Sequence, residues 1–398
     1  MRLDLDFLPS SSPSQPGLVI RDPYRFSEVT LVIPPVLMEA LQCFDGHHTD
    51  LDLRAILVRV TGDLQVSDLA RHMVETLAQA GFLEDETYYR MRDGRKREFA
   101  AQPLRQAAHA GSAYPEEPDA LRATLSRYMA AGAPAAADGN LVGIAAPHVS
   151  PEGGIQAYRA AYASLQPEHR GRTFVILATS HFGEPGKFGL TRKNFATPYG
   201  EAQCDRRLVD WLEAHGGSGV EMEDYCHSFE HTAEFQVVFL QHVLGPDVRI
   251  LPILCGSLLA SRANVRDPDD DDDVRAFLDA LGELNEREGA GLLWVLGVDM
   301  AHMGARYGDR FRAVAEQGEM SVVRTRDQAR IERINASDPA GFWDLVRENG
   351  DDLKWCGSSP FYTFLKAVPK ARGELLHYDQ WNIDEQSVVS FAGMAFRG

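Results

Sequence analysis

Four short apolar runs, separated by stretches of helical character, constrain the fold of this chain more than any other feature. Each run is apolar almost throughout, is bounded by polar residues or glycine, and is shorter than a typical helix. Strands without a polar face are typical of a parallel sheet that is covered by helices on both faces. The runs are LVGIAA (141–146), TFVILAT (173–179), VRILPIL (248–254) and GLLWVLGV (291–298). The sequence therefore predicts an α/β fold with a mostly parallel sheet, to which the C-terminal segments LLHYDQ and SVVSFAGMAF add further strands.

Composition narrows the classes of function. The 398 residues carry a formal net charge of −18, which repels phosphate backbones and anionic membrane surfaces. The N-terminal sequence contains Asp4 and Asp6 and has no uninterrupted apolar stretch, so we expect no signal peptide, and no window is apolar over the length of a transmembrane helix. The five cysteines are few and scattered, as expected for reduced thiols. We therefore expect a cytoplasmic protein that binds neither nucleic acid nor membranes.

The chain divides by composition into an N-terminal part and a larger C-terminal part. Residues 1–20 are rich in serine and proline and are expected to be flexible. Residues 21–87 predict one strand followed by three short helices, which is the content of a small winged-helix module. Residues 88–104 are basic and are expected to link this module to the α/β domain, which spans residues 105–398.

Local signals support the helices of this module. Pro35 is placed to open the first helix, because proline is favoured in the first turn. Thr49, with Asp52 three residues later, resembles a capping box for the second helix. Ser67 is the candidate N-cap of the third helix, and Gly81 fits the position just past its end.

Histidines follow three of the four apolar runs. His148 and His181 come directly after the first and second runs, and Asp299 and His302 follow the fourth. Because the carboxyl ends of parallel strands meet at one edge of a sheet, where ligands bind, these side chains are expected to converge. A single histidine in such a place is usually a structural residue, whereas three in equivalent places indicate a functional site.

Cys356, in the segment WCGSSP, is the cysteine with the strongest indication of a role. Gly357 and the apolar helical pattern after Pro360 indicate a turn at the start of a helix, where a thiolate is stabilised; a buried core cysteine is the alternative. A thiolate combined with imidazoles suits zinc, copper or iron and excludes magnesium and calcium. Three protein ligands would leave positions open for substrate, as in catalytic metal sites.

A competing motif lies between these segments. His227-Ser228-Phe229-Glu230-His231 matches H-x-x-E-H, the signature of inverted zinc peptidases. On a helix, His227 and His231 would share one face and bind zinc, and Glu230 would act as general base. This zinc-dependent hydrolase hypothesis leaves His148 and Cys356 without a role, so it ranks second.

Nine short segments carry a specific resemblance. They are AAHAGSAYP (107–115), IAAPHVSPEGG (144–154), ILATSHF (176–182), TPYGE (197–201), EHTAEFQ (230–236), ILPILCG (250–256), VLGVDMAHMG (295–304), WCGSSP (355–360) and SVVSFAGMAF (387–396). In these segments and in their order, the chain resembles the Memo family, called AmmeMemoRadiSam system protein B in bacteria, over residues 105–398. The resemblance implies a fold related to that of class III extradiol ring-cleavage dioxygenases.

The resemblance also implies a metal site. The metal ligands of the family match His148, His181 and Cys356, with the cysteine in place of a glutamate that the dioxygenases use. It implies one transition-metal ion per chain, with iron(II) as the expected ion and copper and zinc as alternatives. The implied activity is dioxygenase-like redox chemistry on a small molecule or a peptide.

Four more residues match family positions around this pocket. His231 and His302 are expected to act as acid, base or oxygen-stabilising donors. Asp299 is expected to orient His302 or a pocket water, and Glu234 to orient His231. His109 also lies in a matching segment, without an assigned role.

The resemblance has departures that bear on the substrate. The family usually continues its first Pro-His with Ala-Gly-Tyr, whereas Val149, Ser150 and Pro151 follow His148 here. A second histidine often follows the second metal ligand, but Phe182 stands there in this chain. The ligands are kept while the pocket wall differs, so a substrate cannot be carried over from relatives.

The N-terminal module resembles PqqD-like winged-helix domains, which bind leader peptides of modified peptides. The cues are the FDG turn before the Thr-capped helix and the segment LAQAGFLE. The bacterial name of the family implies a gene neighbourhood that encodes a radical-SAM protein and an AMMECR-like protein, which are candidate partners. A third hypothesis follows, in which the chain is a non-enzymatic protein that recruits a peptide or partner enzyme.

Overall fold

The chain forms two compact units, Met1–Ala101 and Gln102–Gly398. The computed structural model describes residues 1–10, 12, 14–130, 140–260 and 266–398. Among these residues, no helix combines the length and the apolar character that crossing a membrane requires.

The first unit combines a small sheet with helices. Strands β1 (Asp6–Pro9), β2 (Leu18–Arg21) and β3 (Thr30–Ile33) form an antiparallel sheet in that order. A 3-10 helix follows over Pro35–Phe44, and then come the helices α1 (Asp50–Thr61), α2 (Ser67–Gln79) and α3 (Glu86–Ala101). Ile20, Leu57 and Phe82 lie in the core of this unit without solvent exposure.

The helix boundaries of this unit follow from local chemistry. At Thr49 the capping box is formed, because the Thr49 side chain accepts from the Asp52 amide and the Asp52 side chain accepts from the Thr49 amide. Gly81 adopts a φ of 70° just past the end of α2, a conformation that favours glycine. The N-cap of α2 is Val66, one residue before the predicted Ser67.

Two segments differ from the sequence predictions. Residues 1–20, expected to be flexible, include β1 and most of β2, because Leu5 and Ile20 are buried in the core of the unit and the two strands pair. The basic stretch 88–104, expected to be a linker, is helical through Ala101, because its arginines, lysine and alanines are good helix formers.

The second unit is built around a large sheet. Over the described residues its strands are β4 (Leu104–Arg105), β5 (Leu141–Ala146), β6 (Thr173–Thr179), β7 (Phe188–Leu190), β8 (Asn194–Thr197), β9 (Gly200–Cys204), β10 (Val220–Met222), β11 (Arg249–Cys255), β12 (Leu292–Gly297), β13 (His302–Gly304), β14 (Arg372–Asp384) and β15 (Ser387–Arg397). Its helices are α4 (Pro118–Met129), α5 (Ile155–Tyr162), α6 (Arg206–His215), α7 (His231–Leu244), α8 (Asp272–Glu288), α9 (Glu319–Asn335), α10 (Pro339–Arg347) and α11 (Ser358–Ala367).

The four apolar runs form the centre of this sheet, as predicted. Its strand order is β13-β15-β5-β12-β6-β11-β9-β8-β4, and β5, β12, β6 and β11 are parallel to their neighbours within this group. The long C-terminal strands β14 and β15 pair antiparallel with each other, and β15 also pairs antiparallel with β5. The sheet is therefore mostly parallel at its centre, with an antiparallel addition.

Helices cover the central strands on both faces. Helix α7 contacts β6, β11 and β12 from one side, and α11 contacts β6 and β12 from the other. Every residue of β6 and β12 is buried, which explains why these strands lack the polar alternation of a half-exposed sheet. This arrangement leaves the carboxyl ends of β5, β12 and β6 side by side.

Candidate metal centre

Three neighbouring strands each place a polar side chain two residues beyond their ends. His148 follows β5, Asp299 follows β12, and His181 follows β6, each at the second position after the strand. Because Gly297 of β12 lies opposite Ala146 of β5 and next to Ala178 of β6, the three strands end at one level. The equal offset brings the three side chains together above one edge of the sheet.

His148 is held rigidly and is almost fully buried. Its Nδ1 lies 3.0 Å from the carbonyl oxygen of Gly297, and its backbone amide donates to Oδ1 of Asp299 at 3.0 Å. Because a carbonyl only accepts hydrogen bonds, Nδ1 carries the proton and Nε2 has the lone pair. Burial, with the nearby rings of His181 and His231, lowers the pKa of His148 well below its usual value, so its imidazole is neutral, as a metal ligand must be.

Cys356 approaches from the other side, at the turn before α11. Its Sγ lies 3.4 Å from Nε2 of His148 and 3.6 Å from the carbonyl oxygen of Asp299. The next residue must be small, because a Cβ at Gly357 would lie 2.5 Å from that same oxygen. Burial raises the pKa of the Cys356 thiol, and the neighbouring His181 opposes this rise.

The ligand atoms of His148, His181 and Cys356 all lie within 4.8 Å of one another. In a tetrahedral site with metal–nitrogen bonds of about 2.0–2.1 Å and a metal–sulfur bond of about 2.3 Å, nitrogen and sulfur are about 3.5 Å apart. The 3.4 Å between Nε2 of His148 and Sγ of Cys356 matches this separation. The three side chains thus fit one ion with an N/N/S donor set.

His181 and His231 share one carboxylate, that of Glu230. Nδ1 of His181 lies 3.1 Å from Oε1 of Glu230, and Nδ1 of His231 lies 3.1 Å from the same oxygen. The two rings stack with centroids 5.2 Å apart and 8° between their planes. Burial opposes the charge on His181, but Glu230 and Cys356 outweigh it and hold the pKa of His181 well above its usual value, so this imidazole must release the proton on Nε2 when an ion binds.

Asp299 and His302 lie beside this cluster with separate partners. Oδ1 of Asp299 accepts from the amides of His148 and Val149, and burial raises the pKa of this carboxyl to about 7. Nδ1 of His302 lies 2.9 Å from the carbonyl oxygen of Met300, and burial lowers the pKa of His302 to about 4. Asp299 therefore contacts His148, where the sequence predicted an orienting bond to His302 or water.

Glu234, predicted to orient His231, lies away from the cluster in a buried network. Its carboxylate pairs with Arg105 and accepts from the amides of Ala108, at 3.1 Å, and His109, at 3.0 Å, and from the hydroxyl of Tyr114. Neither Arg105 nor Glu234 has side-chain solvent exposure. Glu230, one turn earlier, is the carboxylate that contacts His231 instead.

The geometry required by the zinc-peptidase motif is absent from this segment. His227 lies in a separate 3-10 turn over Tyr225–Ser228, and Glu230 is the N-cap of α7, so His227 and His231 do not share a helical face. Nε2 of His227 instead lies 3.0 Å from the carbonyl oxygen of Gly189, and burial lowers the pKa of His227 to about 4. The i, i+4 zinc site predicted for this motif is therefore wrong.

Sequence reasoning missed two residues that organise the site. Arg105 donates from Nε to the carbonyl of His227 at 2.8 Å and from Nη2 to that of Glu230 at 2.9 Å, so it fixes the backbone before α7. Glu230 was recognised only as a general base of the competing motif. The available signal was weak, because glutamate is not among the usual N-cap residues, although a negative charge at the start of a helix is favourable.

Comparisons with known proteins agree with the geometry. A protein-family model described as Memo-like protein matches residues 105–395. A MEMO1 family protein of Aquifex aeolicus is 22% identical over 384 residues, covering 95% of each chain, so the similarity includes the first unit. MEMO1 family proteins of Thermococcus kodakarensis and Methanosarcina barkeri are 28% and 26% identical, covering 74% and 73% of this chain and 99% of each relative. Because the family match spans nearly all of the second unit, the chain belongs to the Memo-like protein family.

Proposed function

We propose that the second unit binds one transition-metal ion through Nε2 of His148, Nε2 of His181 and Sγ of Cys356, and that it performs redox or oxygenase-type chemistry on a small molecule or a peptide. The observation that carries the proposal is the separation of 3.4 Å between the nitrogen and the sulfur, together with the 3.0 Å contact from Nδ1 of His148 to the carbonyl oxygen of Gly297, which leaves the lone pair on Nε2. A nitrogen with its lone pair turned toward a cysteine sulfur is a donor pair suited to a soft or borderline ion.

Iron(II) is the ion we propose, with copper and zinc as alternatives. Bound iron or copper would supply dioxygen and one-electron chemistry, and bound zinc would supply Lewis-acid chemistry for hydrolysis. A thiolate among the ligands favours the redox metals.

The side chains around the site define the side from which a substrate would approach. His148 is 3% exposed in its side chain, whereas His181 and His231 are 29% and 31% exposed. A cavity of about 230 Å³ next to His181 and Cys356 is lined by five hydroxyl-bearing side chains and by the charged side chains of Asp351 and Lys354. We infer that a polar substrate reaches the ion through this cavity, and that the partly exposed His231, which stacks on His181, gives or takes a proton beside it.

Metal analysis after anaerobic purification tests this proposal. We expect about one ion per chain in the wild type and a loss of the ion in His181→Ala and in Cys356→Ser. Cys43→Ser, which removes a buried cysteine of the first unit, is the matched control and should keep the ion. Iron or copper would support redox chemistry, zinc would support hydrolysis at the same ligands, and an ion retained in both ligand variants would refute the site.

We propose as a second candidate function that the first unit recruits a peptide or a partner enzyme. Strand β3 is at one end of the order β1-β2-β3, and an apolar cavity of about 250 Å³ lies between β3 and α2. Val32, Leu69 and Met73 are among its lining residues. An extended peptide can add to a sheet edge and place side chains into such a cavity.

This second candidate is tested with the radical-SAM and AMMECR-like proteins as probes. We expect Thr76→Arg, which fills the cavity, to abolish co-purification of the partner while the metal content stays unchanged. Val74→Arg changes an exposed position of the same helix and should have no effect. Equal co-purification by both variants would exclude this cavity as the recruiting surface.

A further inference from the structure

Glu230 is a buried carboxylate placed between two histidines of different segments. It has no side-chain exposure and is the N-cap of α7, where its Oε1 accepts from the amide of His231 at 3.0 Å. Its Oε2 accepts from the amide of His181 at 2.9 Å. The same carboxylate therefore holds the backbone of the segment after β6 and the backbone that begins α7.

In both histidines it is Nδ1 of the imidazole that contacts this carboxylate. Nδ1 of His181 lies 3.1 and 3.2 Å from the two oxygens of Glu230, and Nδ1 of His231 lies 3.1 Å from Oε1. Because an ionised carboxylate only accepts hydrogen bonds, Nδ1 of His181 must be a donor, and the ion-pair distance of His231 favours a proton on its Nδ1 as well. With the rings nearly parallel, at 8°, Nε2 of each ring is left as the nitrogen that acts on a ligand or a substrate.

The alternative is that Glu230 itself binds a second ion with His181 and His231, since one ligand atom from each lies within 4.8 Å of the others. The hydrogen bonds oppose this interpretation. Oε1 and Oε2 each already accept a backbone amide, and both contacts to the imidazoles have hydrogen-bond lengths. A metal ion would have to displace donors from a carboxylate without solvent exposure.

We propose that Glu230 is a positioning residue that fixes the orientation and the protonated nitrogen of His181 and His231 together, so that one histidine presents Nε2 to the metal ion and the other presents Nε2 to the substrate. This inference rests on the proposed metal site. Carboxylates that accept from the second nitrogen of a ligand histidine orient it and increase its basicity. Here one carboxylate couples a ligand and a proton-transfer group, so displacing it alters both.

The test uses cadmium-113 as the probe ion, with nitrogen-15 labelled histidine in the full chain. In the wild type we expect coupling of the ion to Nε2 of His181 and protons on Nδ1 of both His181 and His231. Glu230→Gln should weaken cadmium binding about 10- to 100-fold and remove the uniform Nδ1 protonation. Glu288→Gln, which changes a carboxylate of α8 that pairs with Arg207, is the control and should leave the affinity and the protonation pattern unchanged.

The outcomes separate this inference from the metal site itself. If Cys356→Ser weakens cadmium binding and Glu230→Gln does not, the site stands and the role of Glu230 is refuted. If neither substitution weakens binding, the proposed site fails. A second cadmium ion that is lost in Glu230→Gln would show that Glu230 is a ligand. Should Glu230→Gln not fold, the wild-type spectrum of the cadmium-loaded protein still decides, because the lack of a proton on Nδ1 of either ring overturns the inference.

Discussion

The pair Arg105–Glu234 supports a quantitative prediction, because both side chains are fully buried and belong to distant segments. Glu234→Gln keeps the volume of the side chain but leaves the guanidinium of Arg105 without its counter-charge. Removing one partner of a buried ion pair costs about 3–5 kcal/mol of the free energy of unfolding. Arg105 also donates to three backbone carbonyls, those of His227, Gln106 and Glu230, which partly offset the loss. We therefore expect a cost near the lower end, about 3 kcal/mol.

Replacing both partners should cost less than the sum of the two single changes. In Arg105→Met with Glu234→Gln no uncompensated charge remains, so we expect a coupling energy of about 0.5–3 kcal/mol between the two positions. Tryptophan fluorescence during a denaturant titration measures the unfolding of the second unit selectively, because all five tryptophans belong to that unit. Additive costs would refute the ion-pair argument. A loss of bound metal in folded Glu234→Gln would show that Glu234 supports the metal site, as the sequence analysis expected.

Three further predictions concern other parts of the chain. Because burial lowers the pKa of His227 to about 4, the unfolded chain binds a proton at this imidazole at a higher pH than the folded chain does. The stability that the neutral His227 contributes is therefore complete above pH about 6.5 and is lost as the pH falls toward 4. His227→Gln should remove up to about 3 kcal/mol of this pH dependence, measured by denaturant titrations at several pH values. A Cβ at Gly153 would lie 2.4 Å from the ring of Trp381, so Gly153→Ala should destabilise the second unit by about 1–3 kcal/mol in thermal unfolding. Thr49→Ala removes the cap of α1 and should cost the first unit about 1 kcal/mol, measured by circular dichroism.

Each of these predictions has a control or a contradicting result. Gly282→Ala, in a helix with no atom near the added carbon, should instead stabilise the second unit by about 0.5–1 kcal/mol. An unchanged pH dependence in His227→Gln would mean that the pKa of this imidazole is the same in the folded and the unfolded chain. A Thr49→Ala variant as stable as the wild type would show that the capping box contributes nothing measurable.

The sequence predicted the parts of the fold that depend on local hydrophobicity. The four apolar runs became β5, β6, β11 and β12, and the residues after three of them converge because parallel strands end at one edge. The residue pattern singled out Cys356 as a cysteine before a helix, and the family resemblance assigned it to the metal site. The structure brings it within 3.4 Å of His148.

The sequence could not predict where α7 begins. The roles of Glu230, Glu234 and Arg105 depend on that position. With the helix starting at His231, Glu230 becomes a cap that faces two imidazoles, and Glu234 turns into the interior toward Arg105. A helix starting at His227 would have produced the peptidase motif instead. Hydrophobic periodicity does not resolve a shift of four residues, because the same face of the helix is buried in both cases.

The position of β12 between β5 and β6 has a consequence for the order in which the protein is made. The strands β5 and β6, which precede His148 and His181, leave the ribosome early, yet they reach their places in the sheet only when β12, encoded more than a hundred residues later, pairs with both of them. The thiol of Cys356 follows later still. If the three side chains bind an ion as proposed, a nascent chain would have the imidazoles without the complete ligand set, and a nearly finished domain would be needed to capture the ion. Metal uptake would then report on completed folding, and would be unable to guide its early steps.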